Sequence, residues 1–403
     1  MPVPLRPGTP GDAVAGVVPD RVATPATVDE VAAVLRVAAE QGLAVVPRGS
    51  GSRLAWGAAP ARCDLLVDLC GLDRIVDHAA GDMVVQVQAG VELARLGTVV
   101  AGAGQQLVLD GGGGTVGGAL AVGAAGPRRL RYGGPRDLLL GVTMVRADGV
   151  VATAGGRVVK NVAGYDLGKL LTGSYGTLGL IVEATLRLHP LPAATGWVTA
   201  TAPDPAGEYA AAQSILDSQL AASAVELDRP AGPGAPVTMA ALFEGTPGGV
   251  AARTAAAASL LGGTAGAPAP DWIGVPPGEP GGTLVELSFL PARLPEVLDL
   301  VAAVAERAGL AVPVRGSAGP AVLFAGLPAG AEPEPAVAFL AALRGALSPP
   351  DAAVVVRYAA PPVRAAVDLW GPVGAGALAL MRRVKEQFDP DHRLSPGRFA
   401  GGL

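Results

Sequence analysis

The chain has 403 residues, half of them hydrophobic and only 16% charged, with 58 glycines, 37 prolines and a formal net charge of −5. Such a length suits two domains, and the apolar content supplies a large core and argues against disorder. The acidic balance argues against nucleic acid as a partner, and two cysteines, Cys63 and Cys70, exclude a disulfide framework and fit a reducing compartment. Those cysteines and three scattered histidines (His78, His189, His392) offer no metal centre. The first residues, MPVPLRPG, lack the apolar core of a signal peptide. No apolar run reaches the roughly 18 residues of a membrane span. A cytoplasmic protein is expected.

In chain order, Pro25-Ala-Thr-Val-Asp-Glu30 opens the first helix, with Thr27 as N-cap and Glu30 closing a capping box. Val28, Val31, Ala32, Leu35, Ala38 and Ala39 form its apolar stripe, and Gly42 ends it. A short buried strand, 43–46, leads into the tight loop Pro47–Arg53; strands follow at 65–69 and 83–89, then a helix near 91–103. Beyond a glycine run, strands at 138–146 and 150–154 flank the hairpin signal Asp148-Gly149, and alternation marks a strand at 180–188. His189-Pro-Leu-Pro192 breaks that pattern, and a domain boundary falls there. The next region mixes strands (197–202, 224–228, 237–243, 283–289, 321–325, 353–359) with helices (206–221, 249–261, 295–308, 335–346), an antiparallel sheet with helices on one face. A last helix, 374–388, carries Leu378, Met381, Val384 and Phe388 on its apolar side.

The run Gly111–Gly118 (GGGGTVGG) holds six glycines in eight positions between strand-like segments, which is unlike a linker. Glycine reaches positive φ and lets a ligand touch the main chain, so a loop of this kind cradles an anion or phosphate with its N–H groups. The diphosphate of a cofactor would lie between Arg48, Gly49, Ser50, Gly51 and Ser52 on one wall and Gly114, Thr115, Gly117 and Gly118 on the other. Gly123, Ala124, Gly179 and Ile181 are further backbone contacts.

Taken together, the helix opened at Pro25–Glu30, the short glycine loop Arg48–Ser52, the run Gly111–Gly126 and Gly173-Ser-Tyr-Gly-Thr-Leu-Gly179 resemble the FAD-binding domain of the vanillyl-alcohol oxidase, or PCMH, type. The resemblance spans about residues 15–192 and the C-terminal Phe388-Asp-Pro…Ser395-Pro-Gly-Arg398 element. It implies an α+β fold with an FAD-binding domain over 1–194, an α+β cap or substrate domain over 195–372, and a helix and tail over 373–403 returning to the first. Within that superfamily, Ala125–Arg129 (AGPRR), Arg136–Val142 (RDLLLGV) and Lys160–Leu170 (KNVAGYDLGKL) resemble the smaller flavin subunit of bacterial glycolate oxidase, its E subunit. That family works with a larger flavin subunit and an iron–sulfur subunit, soluble or peripheral at the inner face of the membrane. It oxidises glycolate to glyoxylate by hydride transfer to FAD.

The resemblance also carries departures. No histidine lies between His189 and His392, where the larger-subunit dehydrogenases carry a His-rich motif. Ser52 stands where many relatives attach flavin to a histidine, so the FAD is expected to be non-covalent. A 2-hydroxy acid brings a carboxylate, which calls for arginine; Arg129, beside Arg128 and Arg131, is the candidate. Lys160 and Tyr165, with Asn161 and Asp166, form the sharpest polar cluster and could act on the substrate hydroxyl, although a capped helix start explains the same residues. Two rival readings share the fold. One is a non-catalytic flavin relay subunit; the other is a stand-alone FAD oxidoreductase for another hydroxy acid or alcohol.

Overall fold

A computed structural model describes residues 3–157, 164–232 and 234–403. By its internal contacts the chain divides into two units, one of residues 1–126, 133–191 and 375–403, the other of 127–132 and 192–374. The seams fall two or three residues from the sequence-expected ones. The larger difference is the six-residue segment 127–132, which leaves the first unit's sequence to join the second.

The first unit holds two main sheets and a two-stranded pair, Gln105–Gln106 with His189–Pro190. One runs in the order Leu5–Pro7, Arg21–Ala23, Leu65–Asp68, Val45–Arg48, with the last three strands parallel. The other is antiparallel, in the order Ile75–Ala79, Val84–Gln88, Leu180–Arg187, Leu139–Val145, Val151–Gly155. The helix Val28–Glu40 packs between them. Thr27 Oγ1 accepts the Glu30 amide at 3.2 Å and Glu30 reaches back to the Ala26 amide at 2.7 Å, a capping box shifted by one residue on its return arm. Its Val31, Val34, Leu35 and Ala38 meet Val45, Leu65 and Val67 of one sheet and Val145, Leu180 and Val182 of the other. Burying each such aliphatic side chain is worth about 1.5–3 kcal/mol. Leu394, from the C-terminal tail, completes this core. Asp148-Gly149 turns the hairpin, with Gly149 at φ +79° and the Arg146 amide donating to Val150 O.

The second unit is built on one antiparallel sheet. Its strands run Thr264–Ala267, Ala194–Ala202, Val237–Gly245, Ala224–Arg229, Val314–Ser317, Val322–Leu327, Thr283–Phe289, Ala352–Tyr358. The helices Pro205–Leu216, Pro247–Leu261, Leu294–Arg307 and Pro333–Ala346 supply Ile215, Ala257, Val297, Leu298 and Phe339 to the core beside Phe243 and Leu287 of the sheet. Two strands, Thr264–Ala267 and Val314–Ser317, escape the sequence reading. Both are four residues long, and each contains a glycine, Gly266 or Gly316, that weakens the strand signal.

The segment 127–132 is anchored within this unit. Leu130 packs on its core, Tyr132 Oη donates to Glu244 Oε2 at 2.9 Å, and Arg128 Nη1 lies 3.5 Å from Glu244 Oε1. Arg131 Nη1 reaches Ser223 Oγ at 3.4 Å. The strand Val237–Gly245 thus presents a buried carboxylate, 3% exposed, to Arg128 and Tyr132, four positions apart.

Candidate functional site

The strand Val45–Arg48 delivers the short glycine loop, and Arg48 lies opposite Asp68 in the parallel register. Its guanidinium donates to Asp12 Oδ1 at 2.7 Å and to Asp68 Oδ2 at 2.5 Å. Asp12 is itself clamped by Arg6 through two bonds of 2.7 Å and by Thr9 through its amide and hydroxyl. Arg6 above all, with Thr9 and Arg48, holds the Asp12 carboxyl well below the usual carboxylate range. Arg48, expected to face the cofactor, lines the cleft with a charge already balanced by two carboxylates.

The second wall starts at Leu93, whose amide donates to Gly114 O at 2.9 Å. Gly112 and Gly114 sit at φ +95° and +101°, open to glycine and strained for other residues. Thr115 then caps a helix, Val116–Val122, that the glycine content hides, because Gly117 and Gly118 both lie in its first turn. Their amides are spent: Gly117 N donates to Ala89 O at 2.8 Å and Gly118 N to Thr115 Oγ1 at 3.3 Å. They line the cleft as bare backbone surface rather than as donors. Gly123 (φ +65°) and Ala124 close that helix and are not among the cleft's lining residues.

Two connected lobes make the cleft. One is lined by Arg48 to Leu54, Thr115, Gly118, Val122, Tyr175 and Arg398; the other by Pro47 to Gly49, Ala89, Thr115, Gly117, Gly118, Ser174, Gly176, Gly179 and Ile181. Of the residues expected to hold cofactor, Arg48, Gly49, Ser50, Gly51, Ser52, Thr115, Gly117, Gly118, Gly179 and Ile181 converge here. Gly114 stands directly behind Ser50 and Ser52. The tail also reaches this wall, where Arg398 Nη2 donates to Leu54 O at 3.1 Å and Trp56 O at 2.5 Å.

These residues suit a flavin nucleotide. A Cβ on Gly49 would overlap Thr115 Oγ1, and one on Gly117 would stand 2.7 Å from Ala89 Cβ, so the walls approach closely only as glycine. Among the described residues the amides of Ser50, Gly51, Ser52, Gly112, Gly113 and Gly114 have no acceptor, and they are the donors a diphosphate needs. Sequence reading missed Arg53, Ser174, Tyr175 and Gly176. Arg53 left a trace as a lone cation directly after the glycine loop, and the other three lie within the Gly173–Gly179 motif.

The expected substrate residues do not gather. Lys160 and Asn161 lie outside the described residues. Tyr165 is 93% exposed and does not line the cleft, contrary to the expectation of a polar cluster there. Asp166 caps the helix Leu167–Leu171 and pairs with Lys169 Nζ at 2.7 Å, a contact that lowers its pKa. Exposed backbone needed a cap, and Asp166 supplies it. Arg129 belongs to the short helix Arg129–Tyr132 of the second unit. His78 is engaged with Gln105 at 2.8 Å. Among the described residues no cluster of His, Cys, Asp and Glu could hold a metal ion, and no helix is long and apolar enough to cross a membrane.

Comparison with known proteins places the cleft in context. Residues 19–155 match the family described as FAD binding domain. D-2-hydroxyglutarate dehydrogenase of Xanthomonas citri pv. viticola is 38% identical over 177 residues, 43% of this chain and 38% of that protein. Glycolate oxidase subunit GlcD of Bacillus subtilis is 34% identical over 177 residues, again 43% and 38%. The chain thus matches less than half the length of these curated relatives. A solved structure of alkyldihydroxyacetonephosphate synthase shares the fold, with TM-score 0.70 at 18% identity, covering 95% of this chain and 77% of that one. The chain carries a PCMH-type FAD-binding domain, with FAD as its cofactor, on an α+β fold.

Proposed function

We propose that this chain is the FAD-binding subunit of a glycolate oxidase-like 2-hydroxy-acid dehydrogenase, oxidising glycolate to glyoxylate and passing electrons to an iron–sulfur partner beside a larger flavin subunit. The observation that carries the reading is the FAD-binding domain, together with the similarity to relatives named for glycolate and D-2-hydroxyglutarate. FAD, when bound, accepts the hydride from the substrate's α-carbon. The chain's own part is to hold the dinucleotide between its glycine loops, with Lys160 receiving the hydroxyl proton.

The relay alternative draws on one feature, the absence of any histidine between His189 and His392. An anaerobic absorbance experiment separates the readings. The purified chain is mixed with glycolate, D-lactate or D-2-hydroxyglutarate, and the flavin bands near about 375 and 450 nm are followed. Bleaching by one acid establishes a self-sufficient dehydrogenase and names its substrate. Bands that bleach only after the partner subunits are added support the relay. Bands that no 2-hydroxy acid bleaches, with or without partners, overturn the proposal. Lys160→Met then tests the assigned role through a slower reduction rate.

A further inference from the structure

One side chain holds the long glycine loop in shape, and the glycine pattern alone does not reveal it. Arg53 Nη2 donates to Gly111 O at 2.6 Å and to Gly112 O at 2.9 Å, and its Nη1 donates to Gly113 O at 2.8 Å. Three successive carbonyls converge on one guanidinium. Gly112 and Gly114 allow this: a Cβ at either would lie 3.2 Å from an Arg53 nitrogen. The same side chain lines the cleft beside Ser50 and Ser52.

We propose that Arg53 is the positioning residue that turns the glycine loop into a diphosphate cradle: it occupies the loop's carbonyls and supplies the positive charge that selects a flavin dinucleotide over riboflavin. The argument is electrostatic. A loop offers its N–H groups to an anion only if its carbonyls are held elsewhere, since an outward carbonyl repels phosphate. Arg53 takes up those of Gly111, Gly112 and Gly113, while the amides of Gly112, Gly113 and Gly114 have no acceptor among the described residues.

Its charge is also available, unlike that of its neighbour. Arg48 is matched by Asp12 and Asp68, whereas no carboxylate pairs with Arg53 among the described residues. Trp56 lies 5.7 Å from its guanidinium, a weak partner by comparison. Guanidinium carries five N–H donors, and three carbonyls leave Nε–H and one Nη1–H for a phosphate oxygen. Half-burial without an acid pulls the Arg53 pKa down, the sign of a cation that lacks its counter-charge.

The inference rests on the assignment of FAD as cofactor, and the test keeps the two apart. Flavin is removed from the purified full chain, and FAD and riboflavin are titrated back while flavin fluorescence is followed. Arg53→Ala should weaken FAD by about 30- to 300-fold and riboflavin by less than about threefold. Arg53→Gln keeps donors for the glycine carbonyls without the charge and should show the same selective loss at about tenfold or more. It carries the test if the alanine variant does not fold by circular dichroism. FAD affinity within threefold of wild type, or equal loss of FAD and riboflavin, overturns the proposal. A wild-type chain that takes up neither flavin overturns the cofactor assignment and the proposal with it.

Discussion

Lys385→Met should loosen the wall of the flavin cleft from behind. Lys385 is 1% exposed, and its ammonium makes three bonds, to Thr177 O at 2.8 Å, Leu394 O at 2.8 Å and Asp389 Oδ2 at 2.7 Å. Asp389 Oδ2 also accepts the Leu394 amide at 2.7 Å, and the carboxylate is fully buried. One cation thereby ties the C-terminal helix Ala375–Phe388, the returning tail and the segment 174–179 that lines the cleft. Removing it leaves Asp389 charged, buried and short of a partner, which costs about 3–5 kcal/mol. At about 2–4 °C per kcal/mol for a domain of 150–250 residues, the melting temperature of the FAD-bearing unit should fall by roughly 6–20 °C. Thermal release of flavin, read as fluorescence, reports this unit directly. In the double variant Lys385→Met/Asp389→Leu the charge imbalance is gone, and part of the loss should return, though the carbonyls of Thr177 and Leu394 stay unbonded. A single variant that releases flavin within 2 °C of wild type would refute the idea that this pair braces the cleft.

Three further outcomes are expected. Gly117→Ala puts a methyl 2.7 Å from Ala89 Cβ and 3.0 Å from Ala89 O, so it should cost about 1–3 kcal/mol and weaken FAD binding; unchanged melting and affinity would remove Gly117 from the wall. Glu208 is wholly buried and without a hydrogen-bond partner among the described residues, and burial pushes its carboxyl up to about 8. A raised folded-state value means that stability is full below the ordinary 4.5 and lost as pH rises through about 8, by at most about 5 kcal/mol. Glu208→Gln should therefore flatten the fall in melting temperature between pH 5 and 8, and parallel curves for the two proteins would exclude it as the cause. Glu244→Ala removes an acceptor of Tyr132 and a partner of Arg128, so limited trypsin digestion should cut at Arg128–Arg131 about tenfold faster; equal rates would mean that Glu244 does not anchor the segment.

The legible parts of the sequence were those with a local physical signal. Thr27 and Glu30 mark a helix start, Asp148-Gly149 a hairpin, and the alternation from Leu180 a strand, because each depends on neighbours along the chain. The short glycine loop was legible for the same reason. What failed depended on distant partners. The helix Val116–Val122 was hidden because two glycines depress its propensity, and the Ala89 and Val91 carbonyls that fix its start lie some 25 residues earlier. The last helix shows an apolar stripe, yet its only buried residue is Lys385, since the carbonyls that accept from it come from Thr177 and Leu394. The arginines of segment 127–132 read as a turn for a substrate carboxylate, but Glu244, over a hundred residues away, engages Arg128 and Tyr132.

Charge in the cleft follows the same logic and carries a last prediction. Arg48 and Arg53 are five residues apart and indistinguishable as letters. Arg48 shares Asp12 and Asp68 with Arg6, two cations against two carboxylates, so that cluster is neutral. Arg53 is bonded to carbonyls, which carry no net charge, and keeps its own. Whether the balance survives acid depends on Asp12. Its folded-state pKa is depressed, so its paired form is favoured at every pH above the ordinary carboxylate value of about 3.9 and is lost only as pH falls through the lowered one. Neither Asp12 nor Arg53 changes charge between pH 5 and 8, and FAD affinity should stay within about threefold across that range. Titrations at pH 5, 6.5 and 8 would show it. A steep rise in affinity towards acid would mean that a group titrating near neutrality, rather than Arg53, supplies the positive charge at the diphosphate.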